Sequence, residues 1–423
     1  MEEKRILKNG ISVYSYKNPE SHSFHLSLFV KAGSMYESEN ECGITHFFEH
    51  IAIRNVNAVM GGKLYSYLDR HGIEFNASTY SEMVQFFASG AVKNFRVGAE
   101  AVAALFSPIV LNAEEINAER RRIKAEIREL DEATSLSCFS QRAVWGGTSL
   151  SRPIAGTLGS VSKIGQKKLE DYRSRIFTRE NLFLYLTGNF SDYDLEYLSS
   201  LIEKINLPAG SARENIAPIP KSFCNRECAV LVKNADFTKL KFNFDIDIEK
   251  VGVCECDLIY EILFGGYASQ FFMEMSEKRG LFYDLVGNVE RYKNIGVMSF
   301  GFEVKENDLY SALGIVVELL KKYKKYPVPE EDCMKAGFVD NGDMLLDEPR
   351  ELNFTFAYDN YILSLGYLDI EKRKAAYRSI CPERLMQVIN EIFKTSNLTL
   401  AIKGRVKKID TERIKGILLG LDE

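Results

Sequence analysis

The sequence predicts an α+β fold built twice: two similar sandwich domains, each a mixed sheet flanked by helices, joined by a linker. Three observations carry this reading. At 423 residues the chain is long enough for two to four domains of about 100–200 residues each. Pro208, Pro218 and Pro220 gather with Gly210 and several small polar residues into a stretch that divides the chain nearly in half. Each half opens on strand-like runs, moves into longer helical stretches and closes on an alternating strand that ends in glycine. The expected boundaries are 1–207, a linker at 208–221, and 222–423.

The opening strands of the first half are "ISVYSY" and "FHLSLFV", and those of the second are "CAVLVK" and "LKFNFDIDI". Apolar and polar residues alternate in them, the period of a strand with two unlike faces. The closing strands, "ENLFLYLTGNF" and "SNLTLAIKGRV", echo each other. After Asn112 the chain runs through "EEINAERRRIKAEIRELDEA" without Gly or Pro. Asn112 and Glu115 have the spacing of a capping pair, and Ile116, Ile123, Ile127 and Leu130 form an apolar stripe at helical spacing, which assigns them to the core. The basic run "LKKYKKYPVPEED" reads as a solvated helix end stopped by Pro327 and Pro329. Trp145 reads as a packing residue, and His22, His25 and His71 lack ligand spacing.

Composition excludes several function classes. Hydrophobic residues make up 46% and charged residues 27%, as in an ordinary globular protein. A net charge of -5 offers no broad basic surface for a phosphate backbone, so nucleic acid is not the expected partner. The first residues lack a secretory apolar core, and no segment approaches the ~18 apolar residues of a membrane span. The expectation is a soluble, cytoplasmic protein without a membrane partner. The eight cysteines are scattered without a disulfide framework and read as reduced thiols, and the spacing of Cys224/Cys228 and Cys254/Cys256 is not that of a zinc ribbon.

Chemistry concentrates in "HFFEH". In a helix, His46 and His50 lie one turn apart on one face and can converge on one ion, with Glu49 on their flank. A carboxylate there can take the proton of an attacking water, the general-base role in a zinc hydrolase. The same pair on a helix can also simply pack or face solvent. A catalytic zinc needs a third protein ligand, and Glu119, Glu126 and Glu129 of the helix after Asn112 are the candidates; Glu119 and Glu126, seven apart, share a face.

H-x-x-E-H is the inverted zinc motif, and here it resembles that of the pitrilysin/insulysin family of zinc metallopeptidases, in particular the short two-domain type that includes the mitochondrial processing peptidase and its bacterial relatives. In that family a glutamate in a Glu-rich helix, at about the distance of Glu126 from His50, completes the metal site. The resemblance therefore implies one Zn2+ per chain held by His46, His50 and Glu126, with Glu49 as the base and Glu119 as a supporting acid. "FNASTYSEMVQFF" resembles the family's substrate strand, which implies that Asn76, Ala77 and Thr79 bind an extended peptide by main-chain pairing along a strand at 75–87. "LFGGYASQFFMEMSEKRGLFYDL" resembles the family's Gly-rich segment and Arg-x-x-x-Tyr pair, which implies that Arg279 and Tyr283 steady the oxyanion. The second half has no histidine and hence no copy of the zinc motif. After His50 the chain reads "IAIRNVNAVMGGK", a departure from the family pattern, so the role of that loop does not carry over.

The resemblance implies an endopeptidase acting on peptides or unfolded segments in an enclosed chamber, as in the processing of leader or precursor peptides. Two domains make half of a clamshell chamber, which implies a homodimer or a heterodimer with a related chain. The competing reading is a non-catalytic subunit or a peptide-binding partner of a related complex; an intact motif argues against it.

Overall fold

The computed structural model describes residues 2–129, 135–210, 229–232, 237–248, 250–292, 295–330, 333–364, 369–404 and 409–423. The first part runs β1 (Glu2–Ile6), β2 (Ser12–Lys17), β3 (Ser23–Val30), α1 (Ile44–Val59), α2 (Leu64–His71), β4 (Glu74–Thr79), β5 (Val84–Ala91), α3 (Phe95–Ala104) and α4 (Ala113–Glu129). There follow α5 (Leu136–Trp145), α6 (Leu158–Ser162), α7 (Gln166–Ile176), β6 (Leu182–Gly188) and α8 (Asp192–Ile202). The second part runs β7 (Ala229–Val232), β8 (Thr238–Asp247), α9 (Val253–Leu263), β9 (Leu285–Arg291), β10 (Ile295–Val304), α10 (Leu309–Lys325), α11 (Lys335–Met344), α12 (Pro349–Ala357), α13 (Ile370–Ser379), α14 (Pro382–Ile392), β11 (Leu398–Gly404) and α15 (Thr411–Leu418).

Two mixed sheets organise these elements. The first has the order β1-β2-β6-β3-β5-β4, with β2 and β6 parallel and the other neighbours antiparallel. The second has the order β7-β11-β8-β10-β9, with β7 and β11 parallel and the other neighbours antiparallel. Alternation in β3 sets its two faces: Phe24, Leu26, Leu28 and Val30 enter the core shared with α1, α3, α4 and α7, whereas Phe29 enters a separate core on the opposite face. Asn112 caps α4 as its sequence predicts, its Oδ1 accepting from the Glu115 N–H at 3.0 Å while Glu115 Oε2 accepts from the Asn112 N–H at 2.9 Å. Ile116, Ile123 and Ile127 are buried; Leu130 lies outside the described residues.

The compact units are not contiguous halves. One consists of Met1–Leu130, Arg152–Ile216 and Asn341–Arg373, and the other of Asp131–Ser151, Ala217–Asp340 and Lys374–Glu423. The boundaries expected from the sequence, 1–207 and 222–423, therefore do not coincide with the units: α5 belongs with the second sheet and α12 with the first. The reason lies in the sheets, which bury both faces. In the first unit Leu352 and Phe356 of α12 pack with Phe29, Phe183 and Tyr185, and the Asn353 side-chain amide donates to the Tyr185 carbonyl at 2.9 Å. In the second unit α5 packs on β11 and β8, where the Ser140 hydroxyl donates to Asn243 Oδ1 at 3.1 Å. Trp145 packs, as expected, meeting the Tyr292 ring edge-on at 5.4 Å.

Of the expected linker, Pro208–Gly210 is described and residues 211–221 lie outside the described residues, as do Cys224 and Cys228. Among the described residues no helix is long and apolar enough to cross a membrane. The strand expected at 75–87 is a hairpin instead: β4 and β5 are joined by a tight turn in which the Tyr80 N–H donates to the Met83 carbonyl at 2.8 Å. β4 is the edge of the first sheet.

Candidate metal centre

α1 starts from a pinned first turn. Gly43 has φ of +86°, and a Cβ there would stand 2.7 Å from the Gly156 Cα, so both the backbone conformation and the space require glycine. The Glu37 carboxylate accepts from the Gly43 and Thr45 N–H groups at 2.7 and 2.8 Å, filling donors that a helix start leaves open. Burial pushes the Glu37 carboxyl up to about 7, against the pull of those hydrogen bonds. The Thr45 hydroxyl lies 2.6 Å from the Tyr172 hydroxyl, tying the same turn to α7.

From this fixed start His46, His50 and Arg54 recur every four residues along one ridge of α1, and α4 packs beside it with Glu119 and Glu126 seven apart. His46 Nε2 and His50 Nε2 stand 3.3 Å apart, and Glu126 Oε2 is 3.9 Å from the first and 3.6 Å from the second. A tetrahedral zinc with bonds of about 2.0–2.1 Å sets its donors about 3.3 Å apart. The three donors therefore fit such an ion with small closure of the carboxylate, and two imidazoles with a carboxylate are a zinc donor set.

The neighbours of the donors favour the same use. Glu119 Oε1 lies 3.0 Å from His50 Nδ1, so in the neutral ring the proton sits on Nδ1 and Nε2 keeps its lone pair. Glu119 is 2% exposed and also accepts from Arg54 Nη1 at 3.1 Å and Arg122 Nη1 at 3.0 Å. Burial alone would raise its pKa; the bond from His50 and the two guanidinium groups outweigh it and hold the carboxyl below its usual value. His46 is pushed down to about 4 by burial and by His50, so its imidazole is neutral, the form that ligates. His50 goes the other way: burial is outweighed by the bond to Glu119 and the charges of Glu49 and Glu126.

Glu49 stands on the flank of the cluster. Its Oε2 accepts from the Thr79 hydroxyl at 2.6 Å, which joins α1 to the edge strand β4. Burial raises its pKa against the Thr79 bond, the state suited to a carboxylate that accepts a proton. On β4, Asn76 is exposed and its Oδ1 accepts from the Ala77 N–H at 2.8 Å, so that N–H is not used in the pairing with β5.

The sequence-predicted residues of the first unit thus come together: His46, His50 and Glu126 as the donor cluster, Glu119 behind His50, Glu49 beside it, Thr79 against Glu49, with Asn76 and Ala77 on the same strand. Arg279 and Tyr283 lie in the second unit, after a π-helical turn at Phe272–Glu277. Arg279 Nη2 donates to Glu274 Oε1 at 3.0 Å, and Tyr283 is 95% exposed. Sequence reasoning missed Glu37 as the cap of α1, Arg54 and Arg122 as partners of Glu119, and the side-chain use of Thr79. The i, i+4 spacing of His50 and Arg54 was the legible signal for one of them.

Two family models match the chain: Insulinase (Peptidase family M16) over residues 12–158 and Peptidase M16 inactive domain over residues 163–336. An "uncharacterized zinc protease" of Rickettsia felis is 26% identical over 400 residues, covering 91% of this chain and 90% of the relative. Another of Bacillus subtilis is 21% identical over 344 residues, covering 80% and 82%. Among solved structures, a protease from Helicobacter pylori shares the fold at a TM-score of 0.85 with 19% identity, covering 96% of this chain and 99% of that one. A chain of complex III2 from Candida albicans shares it at 0.79 with 14% identity, covering 98% and 99%. With the inverted motif standing inside the first matched region, this chain belongs to the insulinase (M16) peptidase family.

Proposed function

We propose that the chain is a zinc endopeptidase that binds an extended peptide or unfolded segment along β4 and hydrolyses it at the His46, His50, Glu126 cluster. The observation that carries this reading is the convergence of the three donors beside Glu49, which a hydrogen bond ties to an open sheet edge. A zinc ion held there supplies Lewis-acid activation of the attacking water and of the scissile carbonyl. Main-chain groups of β4 bind and align the peptide by strand addition, with little regard to its side chains. Glu49 accepts the proton of the attacking water and returns it to the leaving amine. Arg279 and Tyr283 of the second unit are the groups proposed to stabilise the oxyanion.

The substrates proposed are leader or precursor peptides, and the working unit proposed is a pair of chains, this one with itself or with a related chain. A cytoplasmic setting is supported by the cysteines: Cys42, Cys138, Cys254, Cys256, Cys333 and Cys381 form no disulfide among the described residues.

The test is zinc content together with cleavage of a mixed peptide library by the wild type and Glu49→Gln. One zinc per chain in both, with cleavage lost only in the variant, supports the reading. Zinc without cleavage by the wild type favours the non-catalytic subunit instead, and absence of zinc overturns the metal centre.

A further inference from the structure

We infer that Arg54 is a positioning residue of the metal centre: its guanidinium aims the buried Glu119 carboxylate at His50, and so fixes which ring nitrogen His50 presents to the ion. This inference rests on the zinc-site reading above and adds a residue from the stretch after His50 that departs from the family pattern.

The geometry is a chain of three groups. His50 Nδ1 meets Glu119 Oε1 at 3.0 Å, and Arg54 Nη1 meets the other oxygen, Oε2, at 3.1 Å. Each oxygen therefore has one partner on α1, and the two contacts together hold the direction of the carboxylate. Both partners come from α1, one turn apart, so Glu119 reaches across from α4 and is gripped by one helix ridge. At 2% exposure Glu119 has no solvent to turn toward, so its orientation is set by the side chains that meet it. A rotated Glu119 would free the His50 ring to turn and would weaken its Nε2 as a donor.

Arg122 also reaches Glu119, but its position differs. Its side chain is 65% exposed, and it approaches Oε1 at 3.0 Å, the oxygen already engaged by His50, while Oε2 is 3.4 Å away. The Arg54 side chain is 32% exposed and holds the oxygen that His50 leaves open. Solvent screens the first pair much more than the second. Arg122 therefore reaches both oxygens from one nitrogen of an exposed side chain, whereas Arg54 engages Oε2 alone from a less exposed side chain.

The experiment is zinc affinity by competition with a chromophoric chelator, measured on the full chain for the wild type, Arg54→Met, Arg54→Lys and Arg122→Met. Methionine keeps an apolar stem and removes the charge, and the thermal midpoint of each metal-free protein reports its fold separately. Arg54→Met is expected to weaken zinc binding about 10–100-fold, the range for partners behind a ligand. Arg54→Lys is expected to recover most of that loss, and Arg122→Met to change affinity by less than about threefold. The visible spectrum of the Co2+-loaded protein is expected to change in Arg54→Met and to return in Arg54→Lys.

Arg54→Met with wild-type affinity and an unaltered Co2+ spectrum would overturn the inference. So would an affinity loss that lysine does not recover and that tracks a lowered metal-free midpoint, because that describes packing alone. A wild type that binds no zinc overturns the metal-centre reading itself and this inference with it.

Discussion

The Thr79 hydroxyl donates to Glu49 Oε2 at 2.6 Å, so the edge strand of the first sheet also holds the carboxylate beside the His46, His50 and Glu126 cluster. The contact is short and charge-assisted, and it opposes the upward push of burial on the Glu49 carboxyl. A residue expected only to present its backbone thus orients the Glu49 carboxylate with its side chain.

Thr79→Val keeps the β-branched shape and removes that donor. Loss of one hydrogen bond to a charged group costs about 1.5–3 kcal/mol, so kcat is expected to fall by about tenfold or more, with zinc content unchanged and Thr79→Ser close to wild type. Steady-state kinetics with metal analysis checks this; a valine variant as fast as wild type would show that Thr79 contributes through the backbone alone.

Ala77→Pro tests the strand edge. The Ala77 N–H bonds the Asn76 side chain and not β5, so proline removes no ladder hydrogen bond there, and edge strands tolerate it. The expected outcome is a kcat/KM lowered by about tenfold or more, carried mainly by KM, with zinc content and thermal midpoint near wild type. Unchanged kinetics would remove β4 from the binding site.

Glu37 predicts a pH-dependent stability. Its folded carboxyl sits at about 7 against an ordinary 4.5, so as pH rises through this window the unfolded chain gives up its proton first. The unfolded state then binds fewer protons than the folded one, and stability falls with rising pH. The contribution present below pH 4.5 is lost by pH 7, roughly 3 kcal/mol. Glu37→Gln is expected to lack this component, so the gap between wild-type and variant unfolding free energies should shift across that window in urea titrations. Parallel pH curves for the two proteins would refute the assignment.

Gly43→Ala places a Cβ 2.7 Å from the Gly156 Cα at a positive φ. The strained backbone and the overpacking together are expected to cost about 2–4 kcal/mol and to reduce zinc retention, because α1 starts at that turn. Calorimetry of the metal-free and zinc-loaded protein measures both effects, and an alanine variant with wild-type stability would mean the turn yields easily.

By itself the sequence determined the local elements and the identity of the candidate donors. Alternation in "FHLSLFV" marked a strand with two faces, Asn112 and Glu115 marked the start of α4, and the spacing of His46 with His50 and of Glu119 with Glu126 marked which side chains share a helix face. These are short-range facts, because helix and strand periods place residues i, i+4 and i+7 without knowledge of the rest of the chain. Only the tertiary structure decided that α5 and α12 cover the sheets of the opposite halves, since closing the second face of a sheet depends on long-range packing that no local pattern encodes. It alone turned the expected strand at 75–87 into a hairpin with β4 outermost, brought the Thr79 side chain to Glu49, set Glu37 over the start of α1 and placed Arg54 on the far oxygen of Glu119. Each of these is a meeting between an element and a residue distant in sequence or in a different element. Burial gives such meetings their force, because a carboxylate removed from water must find its partners wherever the fold brings them.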